Sequence, residues 1–99
     1  MNAKVEQFYN KNQFLIYDSK NIIFQSYEST IAKIDKTRRT LTLFKNWDYS
    51  NTTRKHLYLF LTDFDIFINN ITNELIYADN KRAYIQKLID NKIIKYINK

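Results

Sequence analysis

Cysteine, glycine and proline are all missing from these 99 residues, and the absences exclude whole classes of function. Without cysteine there are no disulfides and no thiolate metal sites. Without glycine no glycine-rich phosphate loop can be built, which removes P-loop and dinucleotide-binding functions. It also leaves left-handed turn positions to Asn or Asp, the next most tolerant residues. Asn, Lys, Ile, Tyr and Phe are abundant instead, and these are the residues of A/T-rich codons, so codon bias accounts for much of the composition. Long apolar runs are missing too. The longest, LYLFL at 57–61, falls far short of a membrane span. The opening MNAKVEQFYNKNQ has no apolar stretch of signal-peptide length. The expected location is cytoplasmic.

What is present describes a folded protein. Hydrophobic residues make up 44% of the chain and charged residues 26%, a balance that does not suit a disordered segment. A chain of this length forms a single domain, 1–99, burying roughly 60–65% of its unfolded surface.

Two β-prone runs, QFLIY at 13–17 and IIFQSY at 22–27, flank the polar DSKN at 18–21 and read as a hairpin. A second hairpin joins TIAKI at 30–34 to TLTLF at 40–44 through DKTRR, where Leu41 and Leu43 alternate with Thr40, Thr42 and Phe44. Residues 3–9 are expected to form a short helical turn. Ser50 is an N-cap, with Asp48 competing two residues earlier. From Asn51 onward, Leu57, Phe60, Leu61 and Phe64 recur at helical spacing. Between 65 and 78 a hairpin and a helix extension both fit. Asp79 is expected to cap a helix over 80–90 that faces Ala83, Tyr84, Ile85, Leu88 and Ile89 inward, with Asn91 as its left-handed stop. Residues 93–97 read as a short strand or a frayed helix. The fold class is α+β: a small antiparallel sheet of three to five strands covered by two helices.

The stretches YESTIA at 27–32 and WDYSNTTRKHLYLFL at 47–61 carry a resemblance. They are similar to a group of small uncharacterised proteins encoded by phages, plasmids and other mobile elements of Gram-positive bacteria, which pair a YxSxIA strand with a WDYSxTTxKHLxxFL helix start. The resemblance spans about half the chain and implies a context: an accessory protein of a mobile element, acting in the bacterial host cell. Small proteins from that setting often disable host machinery, anti-CRISPR proteins among them, and that step is an association by context.

His56 is the one histidine. A ribonuclease would use it as general acid or base beside Glu28, Asp48 or Asp63, with Arg54 or Lys55 holding a phosphate. A lone histidine with no second base is more often structural. No spacing of His and carboxylates suits a metal, and Asp63 and Asp65, two apart on a helix, would not converge. No catalytic residue, metal or cofactor is therefore expected.

Charge offers more. Sixteen Lys and Arg against ten Asp and Glu leave a net charge of +6, which favours nucleic acid or an acidic protein surface, although lysine-rich codon usage lowers the weight of that signal. Lys36, Arg38 and Arg39 crowd a hairpin tip able to enter a groove of nucleic acid. Arg54 and Lys55 stand at a helix start, where the helix dipole disfavours cations. Lys81, Arg82, Lys87, Lys92, Lys95 and Lys99 make the last third basic. Tyr27 and Tyr49 are aromatic anchors of the kind interfaces use, and Tyr17, Gln25, Tyr27 and Lys33 are expected to share one sheet face that docks a protein or stacks bases. The expected binding residues are Lys36, Arg38, Arg39, Arg54, Lys55, Tyr27 and Tyr49. The leading reading is a non-enzymatic protein that binds and inhibits host machinery, a CRISPR effector complex among the candidates. The alternatives are a basic DNA- or RNA-binding regulator and, well behind, the His56 ribonuclease. Expected partners are a host protein or ribonucleoprotein complex, with nucleic acid and a second copy of this chain (paired through an open strand at 13–17) as further candidates, and no membrane.

Overall fold

A computed structural model describes residues 4–68 and 71–99. Its centre is a sheet of six strands lying in chain order: β1 (Lys4–Phe8), β2 (Asn10–Tyr17), β3 (Asn21–Ser26), β4 (Ser29–Asp35), β5 (Thr40–Phe44) and β6 (Lys95–Ile97). The first five pair antiparallel, whereas β6 joins β5 in parallel, setting Thr42 beside Lys95 and Leu43 beside Tyr96. A parallel neighbour requires a crossover, and the chain between Phe44 and Lys95 supplies it with helices α1 (Asn51–Asp63), α2 (Ile71–Tyr77) and α3 (Lys81–Asp90). The class is α+β, with, among the described residues, a mixed sheet one strand larger than expected and three α-helices.

Pairing register explains which side chains are buried. Leu15, Phe24, Ala32 and Leu43 form one cross-strand row, and Ile22, Ile34 and Leu41 the next. All seven are buried. Alternation puts Ile16, Ile23, Lys33, Thr42 and Lys95 in a row on the opposite face. Tyr17 pairs with Ile22 and Lys33 with Ile23, so these two side chains stand on opposite faces. The shared face expected for Tyr17, Gln25, Tyr27 and Lys33 is not formed, and Tyr27 lies in the turn after β3.

Helix α1 closes the core. Its buried residues Thr53, His56, Leu57, Phe60 and Leu61 fall at helical spacing. Phe60 stacks on Phe24 with ring centroids 5.7 Å apart and meets Phe8 edge-on at 6.3 Å. Ser50 is the N-cap, accepting from the Thr53 amide, and Asp48 is not. In α3 the cap is Asn80, which accepts from Ala83 N–H. Ile85 and Leu88 of that helix are buried, while Ala83 is exposed.

Several expectations need correction. Residues 4–8 of the expected N-terminal helical turn are strand β1; residue 3 lies outside the described residues. That added strand pairs with β2, so 13–17 is an interior strand with no open edge, and the edge falls to β1. The stretch from 65 to 78 is neither hairpin nor continuous helix: a 3-10 turn at Asp65–Phe67 precedes α2. Residues 69 and 70 lie outside the described residues.

Among the described residues, left-handed positions go to neither Asn nor Asp. Tyr9, Tyr27, Arg39 and Lys92 take φ of 64°, 54°, 57° and 58°. At the end of α3, Asn91 keeps a negative φ and Lys92 makes the reversal. The amides of Lys92 and Ile93 then bond back to the carbonyls of Ile89 and Leu88 at 3.0 and 2.9 Å. This is a Schellman ending with lysine where glycine is usual. Several Asn and Asp side chains serve instead as acceptors for nearby amides. Asn10 takes the Lys11 amide, Asp18 the amides of Lys20 and Asn21, Asp35 those of Thr37 and Arg38. These are the local bonds for which Asx residues compete best.

Candidate functional site

Two grooves of similar size differ sharply in charge. The first, 890 Å³, runs between the β4–β5 loop and the turn from α3 into β6. Lys33, Arg38, Arg39, Lys92 and Lys95 line it. Among the described residues, Asp35 is the one carboxylate in its lining.

Local geometry brings these cations together. Asp35 ends β4 and accepts the amides of Thr37 and Arg38 at 3.0 and 3.1 Å, folding the loop back on itself. The Arg38 amide is the main cause holding the Asp35 carboxyl below its ordinary range, and the Thr37 amide and nearby Arg38 and Lys33 charges act the same way against a partial desolvation. Arg39 then turns left-handed, and its guanidinium donates to the Ile66 carbonyl at 2.7 Å. Across the groove, the Schellman turn presents Lys92, and parallel pairing sets Lys95 beside Thr42, next in the row to Lys33. Lys33, Arg38, Lys92 and Lys95 form no salt bridge among the described residues. Five positive charges in one concavity raise the local anion concentration.

The second groove, 850 Å³, lies at the other end of β3 and β4. Both stretches carrying the sequence resemblance meet here: Tyr27, Glu28 and Ser29 from the first, and Tyr49, Ser50 and Thr52 from the second. Tyr27 is 60% exposed and Tyr49 79%. Its lining holds Glu28 and, among the described residues, no Lys or Arg. Ser26 lies in its wall. Ser26 Oγ and, on its cross-strand partner Gln13, Oε1 are buried with no hydrogen-bond partner among the described residues.

The seven expected binding residues therefore divide. Arg38 and Arg39 share the basic groove, and Tyr27 and Tyr49 the tyrosine groove. Lys36 joins neither: its ammonium donates to the Asp18 carbonyl at 2.9 Å, bracing the neighbouring loop. Arg54 is also structural. It pairs with Asp48, which holds Arg82 by its other oxygen at 2.6 Å, and it bonds Asn51 as well. Lys55 is exposed and lines neither groove. Lys33, Lys92 and Lys95 were absent from the expected set, because their convergence depends on the β5–β6 pairing.

His56 is 6% exposed, and its Nδ1 lies 2.8 Å from the Thr52 carbonyl. A carbonyl only accepts, so Nδ1 carries the proton and donates. The ring lines neither groove. Asp63 accepts from the Tyr9 hydroxyl at 2.8 Å, which raises the Tyr9 pKa. No three His, Asp or Glu among the described residues cluster to hold a metal, and no helix among them is long and apolar enough to cross a membrane.

The chain matches, over residues 1–91, the model of a family of unknown function (DUF8033), and it belongs to that family. No curated protein and no solved structure matches it.

Proposed function

We propose that this protein works by binding, without turning over a substrate, and that the basic groove is its contact surface for nucleic acid held in host machinery. The observation that carries this reading is the gathering of Lys33, Arg38, Arg39, Lys92 and Lys95 around one concavity that holds, among the described residues, a single carboxylate. Arg39 and Lys92 reach it from left-handed backbone, a conformation costing roughly 1–2 kcal/mol for a residue with a Cβ. Strain of this kind concentrates at functional sites. With the mobile-element context that the sequence resemblance supplies, the mechanism is occlusion: the protein covers the nucleic acid of a host complex, a guide-bearing CRISPR effector being one such target. A regulator that binds the element's own DNA or RNA would use the same groove.

The test is binding of a labelled oligonucleotide at low and moderate salt, with an Arg38→Glu/Lys92→Glu/Lys95→Glu variant beside the natural chain. Tight, salt-sensitive binding that the variant loses supports the reading. Absence of binding at low salt would overturn it. A second reading, docking on a host protein without nucleic acid, is favoured by the tyrosine groove, where two exposed rings flank a surface free of Lys and Arg among the described residues. Under that reading Tyr27→Ala/Tyr49→Ala abolishes host inhibition while the groove-charge variant retains it.

A further inference from the structure

The basic groove is not uniformly polar, and its apolar lining bears on the form of nucleic acid it takes. Building on the nucleic-acid reading above, we propose that it holds a single strand in preference to a duplex, with phosphates on the cations and bases against the apolar wall.

Three observations carry this. Ile93 is 62% exposed and Tyr96 39%, and both line the groove beside the cations. Half-buried Ile71 and Ile89 continue that wall. A partner offering phosphates alone would leave this surface in water. Single strands offer base faces, and proteins that bind them combine a cationic groove with aromatic and apolar platforms. A duplex keeps those faces stacked inside.

Second, one of the two arginines at the hairpin tip does not project. Reading the major groove needs a helix or ribbon inserted into it, yet the Arg39 guanidinium is tied to the Ile66 carbonyl and turned along the groove wall. Third, the cations line a concavity of 890 Å³, the volume of a small-ligand pocket, which has room for a few nucleotides and not for the body of a duplex.

The experiment is fluorescence anisotropy with a labelled oligothymidylate, its RNA counterpart and a blunt duplex of equal length, at low salt, on the natural chain, Tyr96→Ala and Ile93→Ser. The expected result is a single strand bound at least tenfold tighter than the duplex. Tyr96→Ala should lower single-strand affinity by roughly 5- to 150-fold, the worth of one stacked base, and leave duplex binding and the salt slope unchanged. Ile93 is 62% exposed, so Ile93→Ser should leave Tm nearly unchanged, and a thermal melt of the variant separates lost contact from lost fold. Equal or tighter duplex binding, or single-strand affinity indifferent to both variants, overturns the single-strand inference while the nucleic-acid reading stands. Failure to bind any of the three overturns both.

Discussion

Neutralising Arg38 and Lys95 converts the groove into a number. Each cation that neutralises a phosphate releases condensed counterions, giving log K against log salt a slope of about −0.7 per phosphate on a single strand. If the five lining cations each meet one phosphate, the slope is about −3.5, and a fourfold rise in salt weakens binding on the order of 100-fold. Arg38→Ala/Lys95→Ala removes two contacts. The slope should fall to about −2.1 and the same salt step should cost roughly 20-fold. Folding should be spared: both side chains are exposed and form no salt bridge among the described residues, and the Arg38 amide still bonds Asp35. Anisotropy titrations across a salt series measure both slopes. Lys55→Ala/Lys87→Ala, which alters two exposed lysines outside both grooves, is the control. An unchanged slope in the first variant, or an equal change in the control, would refute the reasoning, because the charge would then act diffusely.

Other consequences follow from the fold. Ser50→Ala removes the cap on the Thr53 amide and should cost about 1 kcal/mol, seen as a drop of roughly 4–8 °C in Tm, with exposed Ser19→Ala as the neutral comparison. Tyr27→Gly should leave stability unchanged or raise it by up to about 1 kcal/mol in a denaturant titration, since glycine relieves the left-handed strain at φ 54° but loses more entropy on folding. The Asp18 and Asp35 carboxyls are both held below their ordinary range, chiefly by backbone amides: Lys20 and then Asn21 for Asp18, Arg38 first for Asp35. A lowered folded pKa stabilises above the unfolded value and the gain is lost as pH falls through the folded one. Stability should therefore decline below about pH 4, and Asp18→Asn/Asp35→Asn should flatten that part of a Tm–pH profile.

Where the pattern was local, the sequence could be read. Alternating Thr and Leu at 40–44 specified β5, and Ser50 ahead of a helical stripe specified α1 and its cap. Strand β1 carries no strand pattern of its own: KVEQF has one buried residue, Phe8, and owes its conformation to pairing with β2. β6 pairs with a strand about fifty residues earlier, and nothing within KYI specifies that partner. Backbone tolerance alone points to Asn and Asp for left-handed positions, and among the described residues other residue types take them. Here their side chains do more as acceptors for turns and caps, and Arg39 and Lys92 carry the reversals. The site divides the same way. Arg38 and Arg39 are neighbours in the chain and visible as a hairpin tip, whereas Lys33, Lys92 and Lys95 join them only after the sheet closes. The WDYSNTT stretch is likewise mixed once folded: Trp47 is core, Asp48 an ion-pair hub, Tyr49 a groove wall and Ser50 a cap.

The most direct measurement is an amide chemical-shift map of the 15N-labelled protein titrated with a short oligothymidylate at low salt. Shifts concentrated at Lys33, Arg38, Arg39, Lys92, Lys95 and Tyr96 are the expected result. Shifts centred on Tyr27, Tyr49 and Ser50, or none anywhere, would contradict the basic groove as the contact surface.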